Sequence, residues 1–137
     1  MKSHGTYTIE LVGRVLMIDA VGPFNEDAVK AYSKDLNTYI EKLAPDPWAL
    51  CAVFRSESLF TPQAEEELKA VTRWRKEKGM KQVAVVFKDV KGLSILQDQM
   101  ARIYEETNIP YAFFETKADA ISWITPEAYI EQQLTQD

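Results

Sequence analysis

Two short segments, Ala49–Phe54 and Lys81–Phe87, are apolar on both faces, and a strongly charged helical pattern separates them. A strand that is apolar on both faces must be buried on both, which places it in the middle of a helix-covered sheet. Strands joined through a helix run parallel, because the crossover returns the chain to the same end of the sheet. The two runs therefore predict an α/β domain with Ala49–Phe54 and Lys81–Phe87 as parallel neighbours at its centre. The stretches that follow them, Arg55–Thr61 and Lys88–Ser94, leave the carboxyl ends of those strands, where such sheets place ligand sites.

The rest of the chain fills in around this pair. Tyr7–Val12 alternates apolar and polar residues as a half-buried strand does, and Val15–Val21 reads as a second strand. Gly13-Arg14 between them suits a two-residue type II′ hairpin, so the first two strands are expected to be antiparallel. After Gly22-Pro-Phe-Asn25, with Asn25 as N-cap, apolar residues recur at helical spacing over Glu26–Leu43. Thr61 as N-cap and Pro62 at the first helical position open a second helix, which Gly79 closes. Glu65, Glu66 and Glu67 crowd its start and Arg73, Arg75, Lys76 and Lys78 its end. The helix dipole prefers that polarity, so the basic cluster needs no ligand to explain it.

A third helix, with Ser94 as expected N-cap, carries the stripe Leu96, Met100, Ile103 and Tyr104 and ends at Asn108-Ile-Pro110. Tyr111–Phe114 predicts a fifth strand and Lys117–Ile124 a fourth helix, with Ala118, Ala120, Ile121 and Trp123. Thr125-Pro126 predicts the start of a last helix running to about Leu134. The order is β-β-α-β-α-β-α-β-α over residues 1–137: a single-domain α/β sandwich with an N-terminal antiparallel hairpin and parallel central strands covered by helices.

Composition narrows the function by exclusion. A net charge of −5 argues against nucleic acid or anionic lipid as a partner, since phosphate binding needs clustered, uncompensated Lys and Arg. No apolar run reaches the length of a transmembrane segment, and Met1–Gly5 lacks the apolar stretch of a signal peptide. The single cysteine, Cys51, lies in the most apolar strand, which leads to the expectation of a small core residue and a reducing, cytoplasmic setting.

The sole histidine, His4, is near the terminus, and there is no Gly-x-Ser-x-Gly elbow, so no nucleophile–base pair is legible. One His and one Cys cannot supply a zinc set, and the five scattered glycines form no phosphate cradle. The expectation is a non-enzyme, with no catalytic residue, metal or cofactor. A pair of carboxylates brought together by the fold is the one enzymatic route that sequence leaves open.

Three pieces carry a family resemblance: the hairpin running into Gly22-Pro-Phe-Asn25, the joint Ser56–Pro62, and the closing Phe114-Glu-Thr-Lys-Ala-Asp-Ala-Ile-Ser-Trp-Ile124. With the element order, residues 5–124 resemble the STAS fold of anti-sigma-factor antagonists, and more closely its SpoIIAA-like branch. The resemblance implies a regulatory module acting through a protein partner. In sigma-regulating members a Ser at the helix after the third strand is phosphorylated, and by position the candidates are Ser56 and Ser58. The Asp and Gly that accompany that Ser in the family are absent from Arg55-Ser56-Glu57-Ser58-Leu59, which weighs against phosphorylation. SpoIIAA-like relatives without the phosphosite also resemble lipid-binding domains of the Sec14 type, in which helices part for an apolar ligand.

Two candidate surfaces result. The hydroxyls of Ser56, Ser58 and Thr61 beside Arg55 could meet an anion at a helix start, or Ser58 and Thr61 could serve only as caps. Phe24, Trp48, Phe60 and Trp74 fall at element edges, and Leu93 lies in the second strand-end loop; such apolar residues are over-represented in protein contacts. The expected function is a cytoplasmic, non-enzymatic module working through a protein partner or as a homodimer. The alternative is a carrier or sensor of a small apolar, lipid-like or acidic ligand held between helices and sheet.

Overall fold

The computed structural model describes residues 6–124, arranged as one mixed sheet with helices on both faces. His4 and the helix expected from Thr125-Pro126 lie outside the described residues. Strands β1 (Thr6–Val12) and β2 (Val15–Val21) form the expected hairpin, in register from Thr6 opposite Val21 to Val12 opposite Val15. Gly13 turns with φ +60° and Arg14 does not enter the left-handed region, as a type II′ turn requires. Helix α1 (Glu26–Leu43) follows, then β3 (Trp48–Glu57), α2 (Pro62–Glu77), β4 (Met80–Lys91), α3 (Leu93–Glu106), β5 (Tyr111–Phe114) and α4 (Lys117–Ile124).

The sheet order is β1-β2-β3-β4-β5, with β2 to β5 all parallel. Cys51 pairs with Ala84 and Ala52 with Val85, so the two apolar runs are parallel neighbours at the centre. Because spatial order follows chain order, right-handed crossovers bring α1, α2 and α3 to the same face of the sheet. On that face Leu16, Ile18, Leu50, Phe54, Val83 and Val85 pack under the stripes of the three helices. On the other face Cys51, Val53, Ala84 and Val86 lie under Ala120 and Ile124 of α4. Burial pushes the Cys51 thiol up to about 11.

Two strands are longer than hydropathy indicates. β3 continues past Phe54 to Glu57, and β4 past Phe87 to Lys91. Their ends pair with each other, Ser56 with Val90 and Glu57 with Lys91, as a ribbon projecting beyond the core. Asp89 is the extra residue of a bulge there, and Asp89 (φ +49°) and Ser56 (φ +52°) both take left-handed backbone. Exposed, paired backbone carries polar side chains, so the run reads as loop although its backbone is paired on either side of the bulge.

The caps repeat this lesson. Asn25 Oδ1 accepts from Ala28 N–H at 2.8 Å and Thr61 Oγ1 from Ala64 N–H at 3.1 Å, as their residue types predict. Ser94 is not a cap: α3 begins earlier, at Leu93, from Gly92 in left-handed conformation with no side-chain cap. Gly92 makes the turn out of β4 without the Cβ penalty, and that backbone requirement sets the helix start.

Candidate functional site

The segment leaving β2 and the segment leaving β3 lie side by side. Phe24 N–H donates to Leu59 C=O at 2.9 Å and Thr61 N–H to Phe24 C=O at 3.0 Å. Phe24 and Phe60 are buried, with ring centroids 4.8 Å apart, and Phe54 meets both. Gln99, reaching across from α3, closes on the Phe60 backbone. Phe60 and Phe24, placed by sequence at element edges as part of a candidate contact surface, are thus core residues, as is Trp48, whose Nε1 donates to Lys78 C=O at 2.9 Å. Aromatics at element ends look exposable in sequence but are wedged here between two joined connections.

The hydroxyl candidates separate. Ser58 is 0 % exposed; its Oγ donates to Arg55 C=O at 2.6 Å and accepts from Gly22 N–H at 3.3 Å. It staples the β2 exit to the β3 exit and does not cap α2. Thr61 does, and so occupies one of the amides that an anion at that helix start would use. Ser56 is exposed on the bulged ribbon. Arg55 points to the opposite face and grips Asp19 with two bonds, Nε to Oδ1 at 2.8 Å and Nη2 to Oδ2 at 2.9 Å. Those hydrogen bonds hold the Asp19 carboxyl below the usual carboxylate range. Sequence reading did not find Asp19 as this partner, because the pairing depends on the β2–β3 register.

The structure does bring the two strand ends together, as the paired ribbon. Beside it opens a cleft of about 650 Å³ between the end of β4, the start of α3 and the end of β5. Leu93 lines it with Phe87, Phe113 and Phe114, and its charged rim holds Lys88 against Asp89, Glu115 and Asp119. Leu93 is 42 % exposed and Ile95, on the same first turn, 54 %. Trp74 does not join this rim. It sits far along α2, twelve residues or about 18 Å of helical rise from Pro62. There it lines a separate groove between α1 and α2, half-buried, with Lys78 Nζ 5.6 Å from its ring.

Arg75 stands apart from the rest of the basic cluster that the helix dipole accounts for at the end of α2. It turns inward and is buried, with Nη2 3.3 Å from Ser33 Oγ. The signal was present in the spacing: Ala64, Leu68, Thr72 and Arg75 fall on one helical stripe, which a dipole argument ignores.

No protein-family profile and no curated protein matches the chain. Among solved structures it is similar to an uncharacterized protein from the DUF3478 family, with a SpoIIAA-like fold, from Shewanella loihica. The two share 21 % identity with a TM-score of 0.59, over 90 % of this chain and 96 % of that one. The chain therefore has a SpoIIAA-like fold, as its element order and joints imply. No described helix is long and apolar enough to cross a membrane.

Proposed function

We propose that the protein is a non-enzymatic regulatory module that binds a protein partner through the cleft at the end of β4. The observation that carries this reading is Leu93, an exposed aliphatic side chain that lines the cleft with half-buried Phe113 and Phe114, while exposed Ile95 lies on the same helical turn. Single exposed aliphatics are ordinary, but one that lines a cleft together with aromatic side chains supports a contact surface. The rim carries three carboxylates against one lysine, so the complementary partner inserts an apolar side chain flanked by Lys or Arg. A cytoplasmic setting belongs to the same proposal.

The test is a photo-crosslinking amino acid at Ile95, compared with one at exposed Glu41 on α1. A discrete adduct from Ile95 that Leu93→Asp abolishes supports the contact, and light scattering distinguishes a second copy from a different protein. Equal, diffuse labelling from both positions overturns it. Leu93→Asp should leave the melting temperature nearly unchanged, because exposed substitutions shift stability by roughly 0.5 kcal/mol or less.

A second reading, a carrier or sensor of a small acidic molecule, is favoured by a different observation: the buried Arg75 guanidinium forms no ion pair among the described residues.

A further inference from the structure

The inward stripe of α2 is apolar through Ala64 and Leu68 and then polar at Thr72 and Arg75, which are 0 % and 2 % exposed. A guanidinium does not give up its proton in proteins, and taking one out of water without compensation is unfavourable. Buried arginines are accordingly paired with carboxylates. Among the described residues Arg75 forms no ion pair. Among those residues its one side-chain hydrogen bond is the 3.3 Å contact to Ser33, and its Nε–H and the neighbouring Thr72 Oγ1 find no partner. Tyr32 from α1 and Tyr104 from α3 are close enough to interact with it electrostatically. Burial pushes the Tyr32 phenol up to about 12 and raises that of Tyr104 as well, so neither supplies a negative charge.

Ser33 links this site to solvent. It is the acceptor for Arg75 and also lines the α1–α2 groove of about 330 Å³. Val71 and Trp74 form an apolar wall of that groove, and Lys30, Lys34 and Glu67 stand in its lining, with Lys30 paired to Glu26 at 3.2 Å. A molecule lying in the groove is one side chain from the guanidinium.

We propose that Arg75, with Thr72 and Ser33, is the receptor for the carboxylate of a small amphipathic acid whose apolar body lies against Val71 and Trp74. The planar donors of a guanidinium match a carboxylate geometrically, and here Nε–H is the donor without a partner among the described residues. The charge count selects a monoanion, since a dianionic phosphate would leave one negative charge uncompensated in the interior. The acid enters as α1 and α2 part beside Ser33. This deepens the carrier reading by naming its ligand class, and it makes no use of the β4 cleft.

Calorimetric titration of the purified full chain with octanoate, octanol, octyl phosphate, acetate and palmitate tests the assignment. Octanoate should bind saturably and raise the melting temperature, octanol should not, and acetate, lacking the apolar body, should bind more weakly. Tighter binding of palmitate than of octanoate identifies a fatty acid as the source, and the reverse a short free acid. Arg75→Met should weaken octanoate binding by about tenfold or more, the scale of a lost charge-assisted contact, while raising the melting temperature of the unliganded protein. Val71→Glu, on the groove wall, should weaken binding with the fold intact. Equal affinity for octanoate and octanol, full retention of octanoate binding by Arg75→Met, or no binding of any acid overturns the proposal. A different molecule retained through purification by both wild type and Arg75→Met, seen by native mass spectrometry, would leave the carrier reading standing and remove Arg75 from it.

Discussion

Gln99 holds the backbone of Phe60 from both sides: its Oε1 accepts from Phe60 N–H at 3.1 Å and its Nε2 donates to Phe60 C=O at 2.8 Å. Both groups are buried, and no helix or sheet bond is available to them at that point of the chain. An amide side chain is suited to this because it carries a donor and an acceptor in one plane. The clamp ties α3 to the joint between β3 and α2, so the floor of the strand-end region is set by a residue far from it in sequence. Gln99→Leu should destabilise the protein by about 2 kcal/mol, the penalty for leaving buried backbone groups unpaired. Urea denaturation with an unchanged slope checks it; a midpoint equal to wild type would show that the two bonds contribute nothing.

Gly22 is required for space rather than for backbone freedom. A Cβ there would sit 2.7 Å from Glu57 O and 2.8 Å from Ser58 Cα, both main-chain atoms that cannot swing aside. Gly22→Ala should therefore lower stability by about 1–3 kcal/mol, as overpacking does. Thermal unfolding measures the loss, and an unshifted midpoint would mean the two strand exits can separate freely.

Ser58 bonds to both sides of the same contact, so Ser58→Ala leaves Gly22 N–H and Arg55 C=O without their side-chain partner. The expected loss is about 1–3 kcal/mol. The same burial bears on modification. Incubation of the folded chain with cell extract and ATP should put no phosphate on Ser58, and site-resolved mass spectrometry reads the result.

Acid should weaken the interface between α2 and α3. Glu65 accepts from Arg102 at 2.8 and 2.9 Å, and those bonds hold its carboxyl below the ordinary value of 4.5 against the opposing effect of burial. Asp19 is held low in the same way by Arg55. A carboxyl whose folded pKa is lowered contributes stability above its unfolded pKa, and that contribution disappears as pH falls through the folded value. Stability should decline as pH falls through and below the ordinary carboxylate range, and less steeply in Glu65→Gln. Identical acid profiles for variant and wild type would remove Glu65 from the explanation.

Cys51 should be inert while the protein is folded. It is fully buried and its thiol is raised to about 11 by burial, so little thiolate exists near neutral pH. Reaction with a thiol reagent should follow global unfolding; rapid labelling in native buffer would show that the face under α4 opens.

Much of this architecture was legible because it rests on local rules. Asn25, Thr61, Pro62 and Gly13 sit where their backbone and capping chemistry requires, and the doubly apolar runs around Cys51 and Val85 have only one burial solution. What escaped was of two kinds. The ribbon Arg55–Glu57 with Lys88–Lys91 is exposed, so no hydropathy pattern marks it as strand although its backbone is paired. The candidate sites depend on which side chains meet across elements: Asp19 with Arg55, Gln99 with Phe60, Arg75 with Ser33.

The chain by itself determined the order of its elements, the parallel central pair and most helix ends, because periodicity and capping act within a few residues. Only the tertiary structure decided that Ser58 and Phe60 are buried, that Arg55 is engaged and that Arg75 faces inward. Those outcomes depend on packing between segments far apart in sequence, where a polar residue's surroundings are set by its neighbours in space and not by its neighbours in the chain.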